Sequence, residues 1–143
     1  MTDNRTVEIH HTIRKLARAL QTLPLDELPE VSNIAFTHTY SRDEVEVSAQ
    51  LGVRQDTRGL RAWRDALPAA VIVAQELGSE HHSVEIGTRG ALAGVPFYVW
   101  TVTRNLPLDL VAAVGKATTP AAAADMVLAY LDDHAAKEVA DMP

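Results

Sequence analysis

The sequence predicts a small α+β domain: an antiparallel four-stranded sheet built from two hairpins, helices on at least one face, and the order α-β-β-α-β-β-α-α. Three observations carry this. Val45, Val47, Ala49 and Leu51 alternate with Glu44, Glu46, Ser48 and Gln50, the period of a strand buried on one side. Ala93-Gly94 lies between two strand-like runs, and a two-residue turn needs the backbone freedom of glycine. Ile9, Ile13, Leu16, Ala17 and Leu20 form one apolar stripe at helical spacing.

The elements follow in order. Residues 5–22 read as the first helix, stopped by Pro24 and Pro29. Val31–Tyr40 and Glu44–Leu51 form the first hairpin around Ser41-Arg42-Asp43. With Tyr40 opposite Val45, His38 faces Val47, Phe36 faces Ala49 and Ile34 faces Leu51, and all eight share the core side. A slip of one residue would turn the glutamates inward. Asp56 or Thr57 caps a second helix with apolar positions Leu60, Trp63, Leu67, Val71 and Ala74. Pro68 kinks or splits that helix. The alternative is a buried strand over Ala69–Ala74, because Val71-Ile72-Val73 is β-branched.

The second hairpin pairs a strand from about His81 to Leu92 with one from Val95 to Arg104. Leu92 then faces Val95, Thr88 faces Val99, Ile86 faces Thr101, Val84 faces Thr103 and Gly90 faces Phe97, the second half of the core. Leu108–Lys116 reads as a short helix. Thr119-Pro120 opens the last one with threonine as N-cap and proline in the first helical position. Val127, Tyr130, Leu131 and His134 give it an apolar side, and the tail 137–143 is expected to fray.

The 143 residues fit one domain, 1–143. A content of 47% apolar and 22% charged residues is that of a globular protein rather than a disordered one. The net charge of −6 opposes binding to phosphate backbones, so nucleic acid is not an expected partner. Its distribution is uneven: residues 1–64 carry nine basic and nine acidic side chains, residues 65–143 four and ten. The absence of cysteine removes disulfides and thiolate chemistry and fits a reducing compartment. The first residues lack a basic region followed by an apolar run. The most apolar stretch, Ala66–Ala74, contains Pro68 and is far short of the ~20 residues of a membrane helix. A cytoplasmic location without membrane contact is the expectation.

The second hairpin has an unusual outward face. Its register presents Tyr98, Trp100 and Val102, with Arg89 opposite Tyr98, Gly87 opposite Trp100, Glu85 opposite Val102 and Ser83 opposite Arg104. A glycine beneath an indole lets the ring lie flat across the neighbouring strand. Tyr98, Trp100, Val102, Arg89, Glu85 and Arg104 are therefore the candidate interaction residues, provided that no helix covers this face. An open face favours self-association, since two-fold dimers are the commonest oligomers.

Other features offer less. Arg54, Arg58 and Arg61 share one helical side near a helix start, which favours anions; the competing reading is a solvated face paired with the acidic half of the chain. The six histidines, His10-His11, His38, His81-His82 and His134, lack metal-ligand spacing, and neighbours on a strand point to opposite faces. No metal or cofactor is expected. There is no nucleophile-elbow or phosphate-loop motif, and Asp132-Asp133 has no matching acidic partner.

Leu60-Arg61-Ala62-Trp63 and Gly94-Val95-Pro96-Phe97-Tyr98-Val99-Trp100 resemble segments of short proteins encoded by high-GC bacteria and their mobile elements. The element order and acidity resemble the type III secretion chaperone-like fold, which implies a small acidic dimer. The expected function is a cytoplasmic interaction or accessory module, homodimeric through the aromatic sheet face or bound to another protein, without catalytic activity. The alternatives are a small-ligand or anion-binding domain using the Tyr98/Trp100 shelf with Arg89 and Arg104, and a chaperone-like adaptor.

Overall fold

The computed structural model describes residues 4–24, 26–28, 31–39, 44–51, 57–77 and 83–140. Its helices are α1 (Asn4–Leu20), α2 (Thr57–Ala66), α3 (Leu108–Lys116) and α4 (Pro120–Ala140), and its strands are β1 (Val31–Thr39), β2 (Glu44–Leu51), β3 (Val71–Glu76), β4 (Val84–Leu92) and β5 (Val95–Thr103). The fold is α+β, with one five-stranded mixed sheet in the order β1-β2-β5-β4-β3.

The expected four-stranded antiparallel sheet is corrected in two respects. Residues 71–76 form a strand, not the second half of a broken helix. Pro68 lacks an N–H and restricts the residue before it, so α2 stops at Ala66; Ala69 turns the chain with φ 52°. The β-branched Val71-Ile72-Val73 run then pairs antiparallel with β4, Ile72 opposite Thr88 and Ala74 opposite Ile86. In addition, the hairpins meet through a parallel pair, β2 with β5, placing Val47 beside Phe97 and Ala49 beside Val99. Helix α2 lies in the connection that leaves β2 and returns at the far edge as β3, the kind of crossover parallel strands require.

In the second hairpin the pairs from Val84↔Thr103 to Leu92↔Val95 fall as expected, whereas Ser83 and Arg104, expected opposite one another, lie just outside the strands. Ala93 (φ 53°) and Gly94 (φ 77°) make the turn, the left-handed pair that matches strand twist. The first hairpin is shifted by two residues: His38 pairs with Val45, Phe36 with Val47 and Ile34 with Ala49. The expected Tyr40 partner lies outside the described residues. An even slip keeps each side chain on its face, so the alternating pattern is blind to it.

The core lies on one face. Val47, Ala49, Leu51, Ile72, Ala74, Val84, Ile86, Leu92, Phe97 and Val99 pack against Leu16, Leu60, Trp63, Leu67, Val111, Val114, Ala123, Ala124, Val127, Leu128 and Leu131. Trp63 stacks on Phe97 with ring centroids 6.1 Å apart. Within this apolar layer the Thr88 hydroxyl donates to the Leu60 carbonyl at 2.6 Å, which removes the cost of burying it.

Three expectations about packing are revised. Ile34 and Phe36 share the side of Val47 and Ala49 but are 49% and 46% exposed, because the helices pack chiefly over β3, β4 and β5 and leave edge strand β1 uncovered. On α1 Leu16 is buried, whereas Ile13 and Ala17 are exposed; the side chain of Ile9 lies outside the description. Helix α4 runs from Pro120 to Ala140. Its start is as expected: the Thr119 hydroxyl accepts the Ala122 amide at 3.0 Å. His134, expected on the apolar side of α4, is exposed and stacks on Tyr130. Asp56 lies outside the described residues, and Thr57 opens α2 with its hydroxyl donating to Asp132.

Candidate functional site

The face opposite the helices is built from three rows of side chains across the sheet. One row runs Ser48, Tyr98, Arg89, Val71; the next runs Gln50, Trp100, Gly87, Val73; the third holds Val102, Glu85 and Gln75. None of these residues belongs to the helix-packed core. Trp100, Val102 and Val73 are half-buried, Arg89 and Gln75 are exposed, and Val71 is 50% exposed. The expected alternative, helices over both faces, is therefore not what the described residues form.

Tyr98 is the exception, at 7% exposure with no helix above it among the described residues. Its own sheet neighbours cover it. The ring lies over Gly87, where an added Cβ would meet Tyr98 Cε1 at 2.5 Å. This corrects the expected arrangement: Gly87 pairs with Trp100, yet the ring it accommodates is that of Tyr98. The Arg89 guanidinium sits 4.6 Å from the ring centroid, within cation–π range. The phenol donates to Glu85 Oε2 at 3.0 Å, and Gln75 Nε2 donates to the same oxygen at 2.9 Å. Arg89 Nη1 lies 3.7 Å from Glu46 Oε1.

Burial pushes the Tyr98 hydroxyl well above the ordinary tyrosine range, and the Glu85 charge and hydrogen bond add to the shift; Arg89 opposes it. The phenol is thus a hydrogen-bond donor at all ordinary pH values. Arg104, the first residue past β5 and two positions beyond Val102, is exposed.

Of the arginines on α2, Arg61 grips Asp132 of α4 with two hydrogen bonds, 2.7 and 3.2 Å, and the Thr57 hydroxyl donates to the same carboxylate at 3.0 Å. Asp132 is thereby held below its usual carboxylate range. This guanidinium is committed within the fold, as in the paired reading of the arginine stripe. Arg58 is exposed and Arg54 lies outside the described residues. His10 and His11 are exposed, while His81, His82 and the side chain of His38 lie outside the description. Among the described residues no group of three or more histidines, aspartates or glutamates is placed to hold a metal.

The six aromatic-face residues proposed from the sequence fall on or beside one surface. Glu46, Gln75, Val71 and Val73 belong to it as well. The outward position of Glu46 was visible in the β2 alternation, but its approach to Arg89 depends on the parallel β2–β5 pairing. Gln75, Val71 and Val73 join only because residues 71–76 are a strand.

The chain matches no family model, no curated protein and no solved structure. Among the described residues no helix is long and apolar enough to cross a membrane.

Proposed function

We propose that this domain is a cytoplasmic protein-interaction or accessory module without catalytic chemistry, which forms a homodimer through the open sheet face around Tyr98 and Trp100. The observation that carries this reading is a face without helices among the described residues, with half-buried Trp100 and Val102 at its centre and apolar Val71 and Val73 on the edge strand β3, beyond β4. Aromatic and aliphatic side chains without cover mark contact surfaces. The face also carries both signs of charge, Arg89 and Arg104 against Glu46 and Glu85, and such a patch is complementary to its own two-fold copy.

The small-ligand reading of the same shelf is weaker. Arg89 already lies on Tyr98 and beside Glu46, and Glu85 already accepts two hydrogen bonds. A sheet face on which Arg89 and Glu85 Oε2 are already engaged differs from the concave pocket, with a few convergent polar groups, that suits a small molecule. The acidic members of the face also oppose phosphate backbones.

Light scattering over a concentration series tests the proposal. The expected mass is near 31 kDa, twice the 15.5 kDa chain. Trp100→Ala is expected to shift the protein toward 15.5 kDa with its circular dichroism unchanged, since a central aromatic truncation costs roughly 2 kcal/mol or more, about thirty-fold in Kd. A wild-type monomer at all concentrations, or a Trp100→Ala dimer as tight as wild type, would overturn the reading.

A further inference from the structure

We infer that Arg104 of each copy pairs with Glu85 of the second copy, so that two reciprocal ion pairs fix the register of the dimer; this rests on the homodimer proposed above. Two observations lead to it. Glu85 receives both of its described hydrogen bonds, from Tyr98 and Gln75, on Oε2, and Oε1 has no partner among the described residues. Arg104 is exposed as the first residue past β5, two positions beyond Val102, which itself pairs with Glu85, and it has no ion-pair partner among the described residues.

Closing a second copy over this face makes these free groups costly. A charge removed from water without a partner is strongly penalised. The other arginine of the face, Arg89, already has Glu46 and the Tyr98 ring, so Glu85 offers the open acceptor. A two-fold axis in the interface plane exchanges any two nearby points, so an Arg104–Glu85 contact made once is made twice. Pairs of this type set partner register and discriminate against misaligned docking.

A double-mutant cycle on the dimer dissociation constant tests the pairing, using Arg104→Gln, Glu85→Gln and the double variant in sedimentation equilibrium. Glu85→Gln retains a carbonyl oxygen to accept from Tyr98, and Arg104 has no ion pair to lose among the described residues, so thermal melts are expected to stay close to wild type. Each single variant is expected to weaken the dimer about ten-fold, and the double variant by about the same ten-fold rather than the hundred-fold product. Unchanged dissociation constants for the singles, or a multiplicative double, overturn the pairing. If Trp100→Ala breaks the dimer while the cycle shows no coupling, the pairing is wrong and the homodimer stands. A wild-type monomer overturns both.

Discussion

The Tyr98 ring rests on Gly87, two positions along β4 from Arg89, the residue that pairs with Tyr98 across the sheet. That diagonal lean brings the phenol to Glu85 while leaving the ring face to Arg89. Gly87 is therefore required for the space above it. Gly87→Ala would place a methyl 2.5 Å from Tyr98 Cε1 and 2.7 Å from the Val99 carbonyl oxygen. The ring can swing away; the backbone oxygen cannot do so cheaply. A loss of about 1–3 kcal/mol is expected, measured by urea unfolding, together with exposure of Tyr98 to solvent.

Tyr98→Phe separates the hydroxyl from the ring. The ring contacts remain, and one hydrogen bond to a carboxylate is removed. The expected loss is about 1–2 kcal/mol, smaller than that of Gly87→Ala, since Gln75 still donates to the same Glu85 oxygen.

The same hydroxyl makes stability pH-dependent at the alkaline end. Its pKa in the folded protein is raised, while in the unfolded chain it is the ordinary value near 10. The unfolded chain then releases the proton first, so the Tyr98 contribution is fully present below about pH 10 and falls as pH rises beyond it. Absorbance titration of phenolate in wild type minus Tyr98→Phe is expected to place this group above the ordinary tyrosine range. A difference curve centred near 10 would show that the burial of the hydroxyl has been misassigned.

Much of this face is legible in the sequence. The β4–β5 register follows from one tight turn and one alternating pattern, so Tyr98, Trp100, Val102, Arg89 and Glu85 were placed together by local information alone. What local information lacks is the order of strands. Both hairpins satisfy their apolar faces whichever edge they share, and nothing in the alternation of Glu46 points to Arg89. The β3 segment failed for a different reason. Leu60, Trp63, Leu67, Val71 and Ala74 keep helical spacing across Pro68, and a buried β-branched run fits either period until its pairing partner is known. Phe36 exposes a further limit: a side chain can lie on the core side of the sheet and still reach past the helices that form the core.

That limit gives a contrast in stability. Leu60 is 1% exposed and its loss leaves a cavity, so Leu60→Ala is expected to cost about 2–5 kcal/mol. Phe36, at 46% exposure, removes much less surface from water, and Phe36→Ser is expected to cost at most about 1 kcal/mol, in line with partial burial. Equal losses for the two variants, measured by urea unfolding, would mean that a further element covers β1.

The contact between α2 and α4 should govern the acid limb of stability. Arg61 and Thr57 hold Asp132 in its charged form and lower its pKa. A carboxylate depressed in the folded state stabilises above its unfolded pKa, near 4, and that contribution disappears as pH falls through the folded value. Both side chains are substantially exposed, 37% for Arg61 and 43% for Asp132, so water screens the pair and its worth at neutral pH is about 0.2–1 kcal/mol. Asp132→Asn is therefore expected to lower stability slightly at pH 7 and to converge toward wild type as pH falls below the ordinary carboxylate range and Asp132 takes up its proton. The check is urea unfolding of both proteins from pH 7 down to pH 2.5. A constant difference across that range would assign the cost of the substitution to packing between the helices instead of charge.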